Sequence, residues 1–196
     1  MKKYISILVL SFLLFSFNAY AENNNFSEHI KTLEEKCSEN DYLSCFYAGQ
    51  VFEDTDFILL AINSYEKACN NLVYESCINL GNIYIKDYSK SIRKKSIKLY
   101  TTACDNNIAR GCSALGSLYY QKNNNTVRHS YRKARKLYEK ACSLLDGAAC
   151  YNAGLMYEEG KGSKKNIDKA KTFYDRACYF KSEKGCQKYK SLSKDK

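Results

Sequence analysis

The chain has 196 residues, 31 basic and 21 acidic side chains for a formal net charge of +10, ten cysteines, two histidines and no proline. With so few histidines and no C-x2-4-C knuckle, a metal site is not expected. An even cysteine count points away from a reducing compartment and toward disulfides.

The first element is a leader. Lys2 and Lys3 make a basic start, Ile5 to Phe17 is an apolar run broken only by serines, and Ala19-Tyr20-Ala21 offers small residues where a signal peptidase reads. The run is shorter than the roughly 20 residues that span a bilayer. A cleaved signal peptide over 1–21 is therefore expected, with a mature domain over 22–196 that is secreted or periplasmic. No later segment is apolar enough to insert in a membrane.

The cysteines follow in pairs eight residues apart: Cys37 with Cys45, Cys69 with Cys77, Cys104 with Cys112, Cys142 with Cys150 and Cys178 with Cys186. Successive pairs begin 32, 35, 38 and 36 residues apart. On one straight helix the two members would stand about 12 Å apart, whereas a disulfide spans Cα separations up to about 6.8 Å. Bonded pairs therefore require the helix to break between them. Turn residues are available at Ser38-Glu39-Asn40-Asp41, Asn70-Asn71, Asp105-Asn106-Asn107, Asp146-Gly147 and Lys184-Gly185.

Each pair thus ties the end of a helix A to the start of a helix B. The A helices are predicted near 26–38, 58–70, 92–105, 130–143 and 167–179. The B helices are predicted near 44–53, 75–86, 110–121, 148–158 and 183–191. The flanks repeat as well. Tyr65 and Ala68, Tyr100 and Ala103, Tyr138 and Ala141, and Tyr174 and Ala177 precede the first cysteine at fixed spacing. Gly49 and Phe52, Gly81 and Tyr84, Gly116 and Tyr119, and Gly154 and Tyr157 follow the second. Spacings of three and four place these residues on one helical face. A glycine kept inside each B helix, at roughly 1 kcal/mol against alanine, indicates two helices in close approach. One hairpin cannot bury its own apolar face, so the five repeats (26–53, 58–86, 92–121, 130–158, 167–191) are expected to stack into one all-α solenoid domain of five disulfide-stapled helix pairs. In the first repeat Leu33 and Lys36 replace the tyrosine and alanine, and Lys188–Lys196 runs out of the pattern. Both ends read as caps or frayed termini.

Charge is unevenly spread. Residues 22–90 carry 5 basic and 12 acidic side chains, and residues 91–196 carry 24 basic and 9 acidic. Many cations fall on or just before the later A helices, so Arg93, Lys94, Lys98, Arg132, Lys133, Lys136, Lys165 and Lys169 form a candidate surface for an anionic partner.

The stretch Tyr157-x-x-Gly160-x-Gly162-x5-Asp168-Lys169-Ala170-x3-Tyr174-x2-Ala177-Cys178, together with the paired cysteines, resembles the Sel1-like repeat, a relative of the tetratricopeptide repeat. More narrowly, it resembles the secreted cysteine-rich Sel1-like proteins of Helicobacter and relatives. The resemblance covers about residues 26–190. The B-to-A loops before residues 58, 92 and 130 depart from it, lacking the paired glycines. It implies an all-α solenoid exported from a Gram-negative cell, with the A helices lining a concave face. Some members are described as weak β-lactamases and others as interaction proteins.

The residues themselves supply no catalytic motif. S-x-x-K occurs at Ser64 and Lys67, Ser91 and Lys94, Ser130 and Lys133, Ser191 and Lys194, and Ser193 and Lys196. A serine- and lysine-rich chain gives such matches by chance, and neither S-D-N nor K-T-G accompanies them. His29 and His129 sit in no motif, and His129 reads as an exposed loop residue. No cofactor is expected. The reading is a monomeric scaffold whose concave, C-terminally basic face binds a protein, peptide or anionic envelope or host component, with a β-lactam hydrolase as the alternative. Nucleic acid is not the expected partner of an exported protein whose tyrosines are assigned to the core.

Each nine-residue disulfide loop contributes roughly 2.6 kcal/mol on the chain-entropy relation. Reduction is therefore expected to cripple or unfold the protein. Melting curves with and without reductant, with thiol release confirmed, check this; an unmoved transition overturns it.

Overall fold

In a computed structural model, residues 27–87, 89–122 and 126–194 are described. The expected signal peptide lies outside them, as do Tyr88 and 123–125 of two B-to-A loops. The described residues form ten helices and no strand: α1 (27–38), α2 (Tyr42–Asp54), α3 (Ile58–Asn70), α4 (Tyr74–Ile85), α5 (Lys90–Asp105), α6 (Ala109–Tyr120), α7 (Tyr131–Ser143), α8 (Gly147–Glu159), α9 (Ile167–Tyr179) and α10 (Glu183–Lys194). Odd-numbered helices are the A helices and even-numbered ones the B helices, so all five helix pairs are present. None of the described helices is long and apolar enough to cross a membrane. The chain divides into two compact units that meet between Lys67 and Ala68, within α3.

Five disulfides join the expected partners. Cys37 is bonded to Cys45 with a Cα separation of 4.7 Å, and Cys69 to Cys77 at 4.9 Å. Cys104 is bonded to Cys112 at 4.5 Å, Cys142 to Cys150 at 4.6 Å, and Cys178 to Cys186 at 4.3 Å. No cysteine is free. The second members Cys45, Cys77, Cys112 and Cys150 are fully buried at the start of their B helices, and Cys186 occupies the same place in α10.

The constant spacing of eight has a backbone cause. The third residue after each first cysteine is left-handed: Asn40, Leu72, Asn107, Leu145 and Lys181. Its N–H bonds the cysteine carbonyl, and the next N–H bonds the carbonyl of the residue before that cysteine, as in Val73 N to Ala68 O (3.1 Å) and Asp146 N to Ala141 O (3.1 Å). This is a Schellman stop. The residue that completes it also starts the B helix: Asp41 and Asp146 accept from the backbone N–H groups of Ser44 and Ala149. The second cysteine always lies four residues further on.

The turns differ from expectation in three hairpins: Asn70 ends α3 and Gly147 opens α8, with Leu72 and Leu145 in the left-handed place, and the last hairpin departs furthest. Lys184-Gly185 are not the turn: Lys181 and Ser182 make it, and Gly185 lies in the first turn of α10. A Cβ on Gly185 would strike the Ala177 side chain, and one on Gly111 would lie 2.6 Å from the Ala103 Cβ. These glycines serve close packing of A on B rather than chain reversal. Likewise α10 runs to Lys194 rather than ending near 191.

The core is made by tyrosine on glycine. Tyr65, Tyr100, Tyr138 and Tyr174 are buried, and each ring lies against the glycine of the preceding B helix. A Cβ on Gly49, Gly81 or Gly154 would come within 2.6–2.7 Å of that ring, and one on Gly116 within 3.2 Å. The phenol hydroxyls find partners on the same B helices. Tyr65 donates to Glu53 (2.9 Å), Tyr100 to Asn82 (2.8 Å) and Tyr174 to Glu158, and Tyr138 pairs with Ser117 (3.0 Å). Ala68, Ala103, Ala141 and Ala177 are fully buried where A meets B. Leu33 is buried in the tyrosine's place in the first repeat.

The glycine contacts rank two substitutions. Gly154→Ala is expected to lower stability by about 1–2 kcal/mol, because overpacking against a buried ring outweighs the helix-propensity gain. Gly116→Ala, with more room, is expected to fall within about 0.5 kcal/mol of wild type. Denaturant unfolding of the oxidised protein reads both; equal losses overturn the ranking.

Candidate partner-binding surface

Seven of the eight candidate cations are exposed, and Arg93 is half-buried with its guanidinium on the Asp87 carbonyl (2.7 Å). All eight lie in the second unit. Counted from the buried tyrosine of each A helix, they fall at repeated positions. Lys94 and Arg132 lie six residues before it, and Lys98 and Lys136 two before it. On α9 those two positions hold Asp168 and Thr172, so the cationic stripe stops there.

The position five before the tyrosine behaves differently. Its lysines lie over the aromatic ring of the preceding B helix: Lys95 over Tyr84 at 5.6 Å, Lys133 over Tyr119 at 4.9 Å and Lys169 over Tyr157 at 5.2 Å. Lys133 and Lys169 are thus partly engaged in holding repeat on repeat. Lys165 lies in the loop before α9 and acts on Glu158 electrostatically. The candidate cations that lie neither on a ring nor on a loop carbonyl centre on Lys94, Lys98, Arg132 and Lys136, from α5 and α7.

A second set of cations went unnoticed in the sequence. Two residues before the first cysteine, Lys67, Lys140 and Arg176 each reach back to the first-cysteine carbonyl of the preceding A helix: Cys37, Cys104 (2.8 Å) and Cys142 (3.2 Å). Each cation gives that carbonyl a second donor beside the Schellman N–H and complements the helix dipole at its C-terminus. A basic residue at a fixed offset from a cysteine was the available signal, masked by the general abundance of lysine.

Around α7 and α8 the polar groups interlock. Arg135 pairs with Glu139 and donates to the Tyr157 hydroxyl (2.8 Å), which itself donates to Glu139 (2.6 Å). Lys161 bonds Glu159 and the Tyr120 hydroxyl (both 2.7 Å), and these two partners hold its ammonium above the usual lysine range. Burial tends to raise the Glu158 carboxyl, but hydrogen bonds from Tyr174 and Lys188 outweigh it and leave it below the usual range. Burial, reinforced by Glu158, pushes the Tyr174 phenol up. Burial alone pushes Tyr100 up to about 12.

The structure assembles no nucleophile among the described residues. Ser64 and Lys67 line a cleft of about 220 Å³ in the first unit with Glu34 and Asn63, but the Lys67 ammonium is bonded to the Cys37 carbonyl. Ser91 and Lys94 are both exposed. Ser130 caps α7 by accepting from Lys133 N, and Ser191 and Ser193 donate to carbonyls of their own helix. Lys196 lies outside the described residues. His29 is exposed beside a cavity of about 460 Å³ with Leu33, Tyr47 and Asp54. His129 corrects the expectation of an exposed loop residue. It is half-buried, edge-on to Tyr131 at 4.3 Å, and its buried Nε2 has no hydrogen-bond partner among the described residues. The cause is the Ser130 N–H bond to the Tyr119 carbonyl (2.9 Å), which draws this loop onto α6.

The Sel1 repeat pattern matches residues 75–108, 109–144 and 147–179, more than half of the chain. The chain belongs to the Sel1 repeat family. Cysteine-rich protein B of Helicobacter pylori is 33% identical, covers 65% of this chain and 90% of its own, and superposes with a TM-score of 0.52. A protective antigen of uropathogenic Escherichia coli with an SLR fold gives a TM-score of 0.75 at 18% identity, over 85% of this chain and 37% of the antigen. A Sel1 repeat protein from Oxalobacter formigenes gives 0.65 at 21%, over 75% of this chain and 62% of that one. These last two show the fold alone. HcpC of Helicobacter pylori, which carries a beta-lactamase label in its name, is 41% identical over 39 residues. That match covers 20% of this chain and spans 13% of HcpC. Sel1 repeats are typical scaffolds for protein–protein interaction. Five disulfides in such a scaffold place it outside the cytoplasm.

The raised tyrosines set an alkaline limit. An unfolded tyrosine ionises near pH 10, and folded Tyr100 at about 12. Its contribution is whole below pH about 10 and is lost as pH rises toward 12, by about 1 kcal/mol per pH unit. Stability followed by circular dichroism beside tyrosinate absorbance is expected to fall across this window, and less steeply in Tyr100→Phe. Equal slopes in the two proteins count against burial as the cause.

Proposed function

We propose that this Sel1 repeat protein is a non-catalytic exported scaffold that holds an anionic protein or peptide partner on the A-helix face of its second unit. Export through the 1–21 leader delivers it to the periplasm or beyond a Gram-negative cell. The observation that carries the reading is the exposed pairing of Lys94 with Arg132 and of Lys98 with Lys136 at equivalent positions of successive repeats. The frame beneath them is stapled by disulfides and by tyrosine rings on glycine. Cations repeated on a rigid frame suit a ligand whose carboxylates also repeat, such as an acidic polypeptide segment. The same face in related solenoids is the concave one.

The test is binding of a polyglutamate peptide to the oxidised protein. Affinity is expected to fall about tenfold or more in Lys94→Glu with Arg132→Glu, and to weaken steeply with added salt. Lys169→Glu is expected to cost less affinity, because its ammonium already lies on the Tyr157 ring. Binding indifferent to salt and to charge reversal sinks the reading. Intact-mass measurement after incubation with a penicillin guards the other side. A covalent adduct on one serine, with turnover lost on its change to alanine, makes the protein an enzyme.

A further inference from the structure

The positions that carry cations in the third and fourth repeats carry leucines in the second. Six and five residues before the buried Tyr65 stand Leu59 and Leu60, where α5 has Lys94 and Lys95 and α7 has Arg132 and Lys133. The position six before the tyrosine faces solvent in the other A helices, the position five before lies at the edge of the preceding ring, and both leucines are exposed here. Phe57 is 60% exposed, Ile58 38%, Leu59 82% and Leu60 45%. Four consecutive large apolar residues in the open are not core, since the core of this hairpin is made by Ala61, Tyr65 and Ala68. Such a cluster marks an interaction site.

Its surroundings state the sign of the partner. Asp54 and Asp56, both exposed, stand just before it. Between residues 27 and 67 nine acidic side chains accompany three basic ones, in a protein otherwise strongly basic. We infer that the Phe57–Leu60 edge of the first unit docks a cationic amphipathic polypeptide segment, one presenting apolar side chains together with lysine or arginine. The apolar side chains cover Leu59 and Leu60, and the cations meet Asp54 and Asp56. A membrane surface is a poor alternative, because anionic lipid and these carboxylates repel one another. This surface takes the opposite charge class from the basic face of α5 and α7.

The experiment titrates the oxidised full chain with a labelled helical leucine/lysine peptide, followed by anisotropy, beside its leucine/glutamate counterpart. Leu59→Ser with Leu60→Ser is expected to weaken the lysine peptide about tenfold or more. Asp54→Asn with Asp56→Asn is expected to weaken it about threefold and flatten its salt dependence. Leu145→Ser, at another exposed leucine (67%) in the second unit, is expected to change nothing. Unchanged melting curves confirm that these exposed substitutions leave the fold alone. Undiminished binding to the Leu59→Ser, Leu60→Ser protein overturns the inference, as does equally tight binding of the glutamate peptide. Sedimentation that shows wild type pairing through this edge, and the double serine variant monomeric, assigns the surface to a second copy instead and also overturns it.

Discussion

A tyrosine ring laid on a helical glycine sets the distance between one hairpin and the next. The glycine lets the ring reach the B-helix backbone, most tightly at Gly49, Gly81 and Gly154, where the ring fills the space that a Cβ would occupy. Everything else in the repeat accommodates this contact. The hydroxyl must be satisfied once the ring is buried, so a polar residue one or four positions beyond the glycine accepts from it or pairs with it: Asn82, Ser117, Glu53 or Glu158. The cost is a phenol whose ionisation in place is pushed to higher pH by burial. At the far end of the second unit, α10 carries Lys190 at the glycine's position.

The disulfides do a different job. Within the second unit the broadest helix contacts join a B helix to the next A helix, α4 to α5, α6 to α7 and α8 to α9. These are also the pairs spanned by the three matched Sel1 repeats. The contacts from α5 to α6 and from α7 to α8 are thinner, and those junctions carry the bridges from Cys104 to Cys112 and from Cys142 to Cys150. Packing and covalent constraint therefore alternate along the chain. The bridge also stabilises a demanding turn, since a non-glycine residue in the left-handed region costs roughly 1–2 kcal/mol, and Leu72, Leu145 and Lys181 all sit there. Once the cysteines limit the unfolded chain, a leucine at that position is tolerable.

The cysteine spacing and the tyrosine and glycine intervals made most of the fold legible. Helix periodicity and a covalent distance limit admit few solutions, so the helix boundaries are reproduced within about two residues, apart from the run-on of α10. The misplaced turns have one origin. Glycine and asparagine were read as turn formers, but the left-handed position takes leucine and lysine as readily when the Schellman hydrogen bonds and a disulfide over-determine it. Gly185 was needed instead for packing on Ala177. At the surface, composition showed where charge accumulates but not which charges are engaged. Lys133 and Lys169 differ from Arg132 and Lys136 only in helical register, and register decides whether an ammonium lies on a tyrosine or faces water.

That register gives the repeat its functional latitude. The position six before the tyrosine takes no part in the stacking contacts, and it holds Leu59, Lys94, Arg132 and Asp168 in successive A helices. Apolar, basic, basic and acidic side chains thus occupy one structural position without disturbing the tyrosine–glycine contact beneath. Five residues before the tyrosine the freedom is narrower: three repeats keep a lysine over a ring, and only the second places a leucine there. A fold whose packing code and surface code run on separate positions can change partners by substitution at the second set alone. This chain varies the second set unevenly, and the result is an acidic, apolar edge in its first unit and a cationic face in its second.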